Sequence, residues 1–287
     1  MSKLNYSKII KNFLSFAKDE ESIRAAIIVG SQARQEKTAD QWSDLDLVIF
    51  STDHTSLLKH YKWIYHISKP MITFLEKTAV GGGMERRVLF EGGLDVDFAI
   101  FPTSTLDDML NQKEVSDVFS RGVKVLIDKD HRLKSIIPQK NKTPVIPSKE
   151  KILNDMHDFW YHSVLTAKKL RRGEILLSKS ICDSYMKNLL VSLIKTEIKL
   201  RKGPDYDTWH GFRFFEQWAD PDIIESFKKL YAPYDEKEIW HALIKTMNVY
   251  EKMAKKVCHS MGIEYPLVAN RYAVQLVEKM LNEIDLK

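Results

Sequence analysis

The chain has 287 residues, 44% of them hydrophobic and 29% charged, with a formal net charge of +5. That length allows two domains with cores of their own, and the composition is ordinary for a globular protein. No run approaches a membrane span, the charge is too mild to mark a nucleic-acid binder, and two cysteines without Cys-x-x-Cys spacing read as reduced core residues, not as a disulfide or zinc site.

The first residues, Met1 to Tyr6, lead into no apolar stretch of the kind a signal peptide needs, so the expected location is the cytoplasm. An amphipathic helix is expected over Tyr6 to Ala17. Ala25 to Val29 is a short β-branched run that reads as a buried strand, and Gly30-Ser31 ends it where the chain must turn. Strand, small-residue turn and helix start is the expected order through Gln32, Ala33 and Arg34. Ser31 would cap that helix, whose free amides and positive dipole end would seat a phosphate.

Asp44 to Phe50 alternates, so that Leu45, Leu47 and Ile49 share one strand face while Asp44 and Asp46 share the other. Two like charges side by side are unfavourable unless a cation neutralises them, and Mg²⁺ favours carboxylate oxygens together with substrate phosphates. The plain alternative is a strand edge whose acids face water. Met71 to Leu75 reads as a further strand, and Gly81-Gly82-Gly83 as a flexible loop between strands. Leu94 to Phe101 alternates again, with Leu94, Val96, Phe98 and Ile100 packed and Asp95 and Asp97 opposite. Asp97, inside the strand, is the expected functional acid, with Asp95 nearer its start. If this strand lies beside the Asp44 strand, three carboxylates converge as a two-metal site for phosphoryl chemistry requires. A late strand is expected at Lys124 to Asp128.

Thr143 to Pro147 reads as a linker, because two nearby prolines disfavour either regular element. The chain therefore divides into residues 1–145 and 146–287. Beyond the linker the pattern is helical. Lys168 to Arg172, the densest basic run, sits before Gly173 where cations complement a helix end. Ile181, Tyr185, Leu189 and Leu193, with Met186 and Leu190, mark a central helix of a bundle. Asp183 and Lys187 lie one turn apart beside that packed face, as a helix salt bridge would. Asp158 and His162 share the same spacing and read as a surface pair more readily than as metal ligands. Trp209 to Phe215 combines aromatics with a Gly turn among the acids Asp205, Asp207, Glu216 and Asp220. These read first as core rings and helix caps, and second as a surface for a cationic, hydroxyl-rich ligand. Leu243, Met247, Tyr250 and Ala254 mark a further helix, and Val274, Val277 and Leu281 a last one.

At Val29 to Arg34, Trp42 to Leu47 and Val96 to Pro102 the chain resembles the nucleotidyltransferase superfamily typified by DNA polymerase beta. It is more closely similar to the aminoglycoside 6-adenylyltransferase (streptomycin adenylyltransferase) family, with the helical half matching in length, helicity and aromatic placement. The resemblance implies an α+β fold, with a mixed-sheet catalytic domain followed by a helical domain that closes over the site. It implies transfer of AMP from Mg-ATP to the 6-hydroxyl of a streptomycin-like aminoglycoside, with antibiotic resistance as the result. Asp44, Asp46 and Asp97 would be the catalytic and metal-binding acids. Gly30, Ser31, Arg34 and Lys187 would hold ATP, and Asp183 and Trp209 would meet the acceptor. Several family members carry Arg directly after the Gly-Ser pair; here Gln32 stands there and Arg34 is the nearest basic residue. Transfer to RNA or tRNA, to a protein or to another small molecule, and a non-catalytic nucleotide-binding regulator, are the rival readings. One basic run offers little for tracking many phosphates, and all three acids are retained.

Overall fold

The computed structural model describes residues 5–133 and 146–283. It divides into two compact units, Met1–Lys142 and Thr143–Lys287. Of the expected linker, Thr143, Pro144 and Val145 lie outside the described residues.

The first unit opens with α1 (Ser7–Asp19) and β1 (Ile23–Val29), followed by β2 (Leu45–Ser51), α2 (His54–Lys59), β3 (Pro70–Lys77), β4 (Met84–Phe90) and β5 (Leu94–Pro102), then α3 (Leu106–Asn111), α4 (Lys113–Ser120) and β6 (Lys124–Asp128). The strands form one mixed sheet in the order β3-β4-β5-β2-β1-β6. Only β2 and β5 run parallel; the other neighbours are antiparallel. The alternation read from the sequence divides the sheet into two packed faces. Leu45, Leu47, Ile49, Val96, Phe98 and Ile100 pack with Ile9 and Phe13 of α1 and with Trp63. Ala25, Ile27, Val48, Phe50 and Phe101 pack with Leu106, Met109, Val115 and Phe119 of α3 and α4. Strand β2 is thus interior and buried on both faces beyond Asp46, which removes the reading of its acids as a water-facing sheet edge.

Two features depart from expectation. The helix predicted after Gly30-Ser31 does not form. Gly30–Gln32 make one 3₁₀ turn, after which the chain loops back through Ala39, whose N–H donates to the Ser31 carbonyl at 3.0 Å. Residues Arg34 to Asp40 are nearly all polar and offer no apolar stripe to pack, so nothing sustains a helix there. The second departure is β4, a strand the sequence reading did not identify because Glu85, Arg86 and Arg87 interrupt its apolar pattern.

The second unit consists of α5 (Lys149–Arg171), α6 (Ile175–Ser180), α7 (Met186–Lys202), α8 (Phe215–Trp218), α9 (Pro221–Phe227), α10 (Glu236–Met261) and α11 (Leu267–Asn282). Its core is aromatic at the centre: the Phe159 ring stacks on Tyr250 at 3.5 Å, and Trp160 meets both edge-on. Cys182 and Cys258 are free thiols buried in this unit. Asp220 stands at the N-cap of α9 before Pro221, but its carboxylate bonds Arg201 at 2.5 Å instead of a helix amide.

Between α6 and α7 the chain makes a π-helical turn over Ile181–Tyr185. The wider turn shifts the register locally, yet most of the predicted stripe packs as expected: Met186, Leu190 and Leu193 are buried, and Ile181 and Leu189 lie against the core. Cys182, Met186, Lys187 and Leu190 point inward, while Tyr185 is 44% exposed.

Candidate active site

Strand β1 delivers the chain to Gly30 at one end of the sheet. Gly30 has φ +66°, and a Cβ there would lie 1.8 Å from Asp46 Oδ2. The glycine is therefore required twice, by its backbone conformation and by the close approach of a carboxylate. The Ser31 hydroxyl donates to the Asp44 carbonyl at 3.5 Å and the Gln32 side-chain amide donates to the same oxygen at 3.3 Å. The Gly-Ser turn thus fastens the backbone that carries the first acid, and it supplies no helix N-terminus. Ser31 caps no helix, contrary to expectation, because a single 3₁₀ turn leaves only a few unpaired amides and a negligible dipole. Arg34 sits in the polar loop that follows, where its Nε donates to the Lys37 carbonyl at 2.5 Å.

The parallel pairing of β2 with β5 sets Asp46 directly opposite Asp97. Asp44, one residue before β2, joins them: the three carboxylates each offer an oxygen, and these lie within 4.8 Å of one another. Asp95 is outside that group. Tyr6 ties the two acid-bearing segments together, since its hydroxyl donates to the Ser43 carbonyl at 2.9 Å and accepts from the Asp95 N–H at 3.2 Å. Burial raises this phenol to about 12, so it remains a donor.

Asp97 is only 7% exposed. Across the antiparallel β4–β5 pair it faces Arg87, whose Nε donates to Oδ1 at 2.6 Å and whose Nη2 donates to Oδ2. The remaining fork nitrogen, Nη1, donates to Glu76 Oε1 at 3.0 Å, and Glu85 lies 3.9 Å from Nε. Burial pushes the Asp97 carboxyl up, and the guanidinium pulls against it. Glu85 is pushed up to about 7, by burial first and by the Asp97 charge second. Because the folded state holds this proton more tightly than the unfolded chain, the stability linked to it is present below about pH 4.5 and is lost as pH rises to about 7. Glu85→Gln removes that loss. Its advantage in melting temperature over the parent is expected to grow from pH 4.5 to 7 and then stay constant, and an unchanging difference across that range would refute the assignment.

Three carboxylates in one cluster, with no nitrogen or sulfur donor, fit a hard divalent cation of the Mg²⁺ class. Asp44, Asp46 and Asp97 are the residues that would hold it. Arg87, Glu76, Glu85 and Tyr6 were not singled out from the sequence. The signal available was hairpin spacing: a strand at Met71 to Leu75, the three glycines, and the strand at Leu94 leave room for one more strand between.

Of the helical-unit candidates, Lys187 lies in the core of its own unit, while Asp183 and Trp209 are half-buried. Lys187 is 1% exposed; its Nζ donates to the Cys182 carbonyl at 3.0 Å and to Thr246 Oγ1 at 2.8 Å, with the Tyr231 ring at 5.2 Å. Its ammonium faces helix α10 and not a surface open to a nucleotide. Asp183 pairs with Lys179 instead of Lys187, because the π turn carries Lys187 inward. Lys187→Met fills the same space without a buried charge, and Thr246 keeps its own acceptor, the Ala242 carbonyl at 2.6 Å. The variant is expected to melt at or above the parent temperature; a clearly lower one would show that the buried ammonium stabilises the fold. Trp209 lies in the loop before α8, its ring edge-on to Phe214 at 4.8 Å and packed on the helical core. Asp158 and His162 form the expected pair at 2.6 Å, with the Tyr185 hydroxyl donating to the same carboxylate at 2.8 Å.

A family model described as streptomycin adenylyltransferase matches residues 4–280. The aminoglycoside 6-adenylyltransferase of Bacillus subtilis is 24% identical over 265 residues, which are 88% of this chain and 90% of that protein. A crystal structure of an aminoglycoside 6-adenyltransferase from Bacillus subtilis aligns over 97% of this chain and 99% of that one at 19% identity, with a TM-score of 0.46. A nucleotidyltransferase-like protein from Exiguobacterium sibiricum aligns over 89% and 77%, respectively, at 14% identity and a TM-score of 0.33.

Proposed function

The chain belongs to the streptomycin adenylyltransferase family, and from that premise we propose that it transfers AMP from Mg-ATP to a hydroxyl of an aminoglycoside, with release of pyrophosphate. Streptomycin and its 6-hydroxyl are the first candidates for the acceptor, and loss of sensitivity to the drug is the expected consequence in the cell. The observation that carries this reading is the convergence of Asp44, Asp46 and Asp97 beside the Gly30 turn.

Asp44, Asp46 and Asp97 would hold a divalent cation, which would offset the negative charge that develops on the leaving pyrophosphate. The chain's own residues supply the frame. Ser31 and Gln32 hold the Asp44 backbone, so that carboxylate keeps its place when the substrate's negative charge arrives. Gly30 leaves room for Asp46, and Arg87 fixes both oxygens of Asp97. The acceptor hydroxyl attacks the α-phosphate in line, the bond to the β-phosphate oxygen breaks, and the hydroxyl proton passes toward the Asp97 carboxylate. Gly30, Ser31 and Arg34 would meet the triphosphate.

Mass spectrometry of a panel of aminoglycosides, each incubated with the protein and Mg-ATP, tests the substrate class. Gain of one AMP on streptomycin supports the proposal. Gain on no drug in the panel would remove the aminoglycoside from it and direct the search to other acceptors.

A further inference from the structure

The first unit holds a second basic feature that the acids do not use. Arg86 follows Glu85 on β4 and precedes Arg87, but strand alternation sends the two arginines to opposite faces: Arg87 is in register with Asp97 and Arg86 with Phe98. Arg87 takes the nearby acids Asp97, Glu76 and Glu85. Arg86 is 5% exposed and has no ion pair with a carboxylate among the described residues. A guanidinium carries five N–H donors and stays charged at any physiological pH. Here Nη2 donates to the Leu58 carbonyl, Nη1 reaches Thr73 Oγ1 at 3.4 Å, and Nε has no partner at all. The Tyr61 ring lies 5.6 Å from Cζ.

A buried cation with idle donors and no counter-ion is costly unless something completes it. The structure offers the space. An open surface depression of about 310 Å³ lies beside Arg86, lined also by Tyr61, Tyr65, Ile72 and Thr73 and by no acid. Its size is at the small end of ligand pockets, suited to a compact molecule. The planar fork matches an oxyanion that can accept two hydrogen bonds at once, and the tyrosine rings give the mouth an apolar wall with polar tips.

We propose that Arg86 anchors a second binding site, on the sheet face opposite the three acids, for a small anion bearing a carboxylate or a phosphate. The site is independent of the transfer reaction and of its substrates.

Isothermal titration of the full chain with inorganic phosphate and, separately, with succinate tests it. At least one of the two saturates at one per chain, and which one binds identifies the headgroup. Arg86→Gln weakens that binding by about tenfold or more, while Asp44→Asn binds as the parent does. Thr73→Glu, at the lining position whose Oγ1 already reaches Arg86 Nη1, sets a competing carboxylate against the guanidinium and abolishes binding with an unchanged circular dichroism spectrum, which keeps the test valid should Arg86→Gln fold poorly. Binding of neither anion, parent-like binding by Arg86→Gln and Thr73→Glu, or a loss that follows Asp44→Asn would each overturn the proposal.

Discussion

Asp44→Asn is expected to lower kcat for AMP transfer by about a thousandfold or more, roughly 4 kcal/mol of transition-state stabilisation, with melting temperature nearly unchanged. The reason is charge and not shape. Asparagine keeps the size of the side chain and leaves the Asp44 carbonyl free to accept from Ser31 and Gln32, so the turn stays fastened. What disappears is one of three anionic ligands at a cluster whose oxygens lie within 4.8 Å of one another. Asp44 is half-buried and stands just before β2, so its neutralisation costs little folding energy. A variant retaining a tenth of the parent rate would show that the metal and phosphate charge are held elsewhere.

Gly30→Ala is expected to fail on both counts, stability and rate. Alanine at φ +66° carries a left-handed penalty of about 1 kcal/mol, and its methyl would overlap Asp46 Oδ2, so the strand end or the carboxylate must move. A displacement near 1 Å at a reacting centre can cost about a hundredfold in rate. The expected pattern is a lower melting temperature together with a kcat reduced by about that factor. Parent-like kcat in a destabilised Gly30→Ala protein would separate Asp46 from the chemistry.

Much of this site is legible in the sequence because it is written in strand periodicity. Alternation over Asp44 to Phe50 and over Leu94 to Phe101 places each acid on a face, and both strands occur where expected. That they are neighbours, parallel and in register at Asp46 and Asp97, depends on sheet order, which no local pattern encodes. The Gly-Ser turn ends β1 as its residues imply, but capping logic favours a helix after Ser31, whereas the polar run to Asp40 has no face to bury. Strand β4 escaped notice because its central residues are charged, and with it went Arg87, the residue that grips Asp97. In the helical half, a 3.6-residue period marks the central, penultimate and last helices but not the π turn, beside which Lys187 faces inward and Tyr185 outward. Periodicity reports burial well; it reports partner choice only when the register is unbroken.

The most direct test of the central claim is pyrophosphate release from Mg-ATP, measured with streptomycin, with other aminoglycosides and without acceptor, in parent and Asp44→Asn proteins. The predicted result is release that requires an aminoglycoside, matches the adenylylated drug one for one, and disappears in the variant. Acceptor-dependent release that persists undiminished in Asp44→Asn, or no release with any aminoglycoside, would contradict the account.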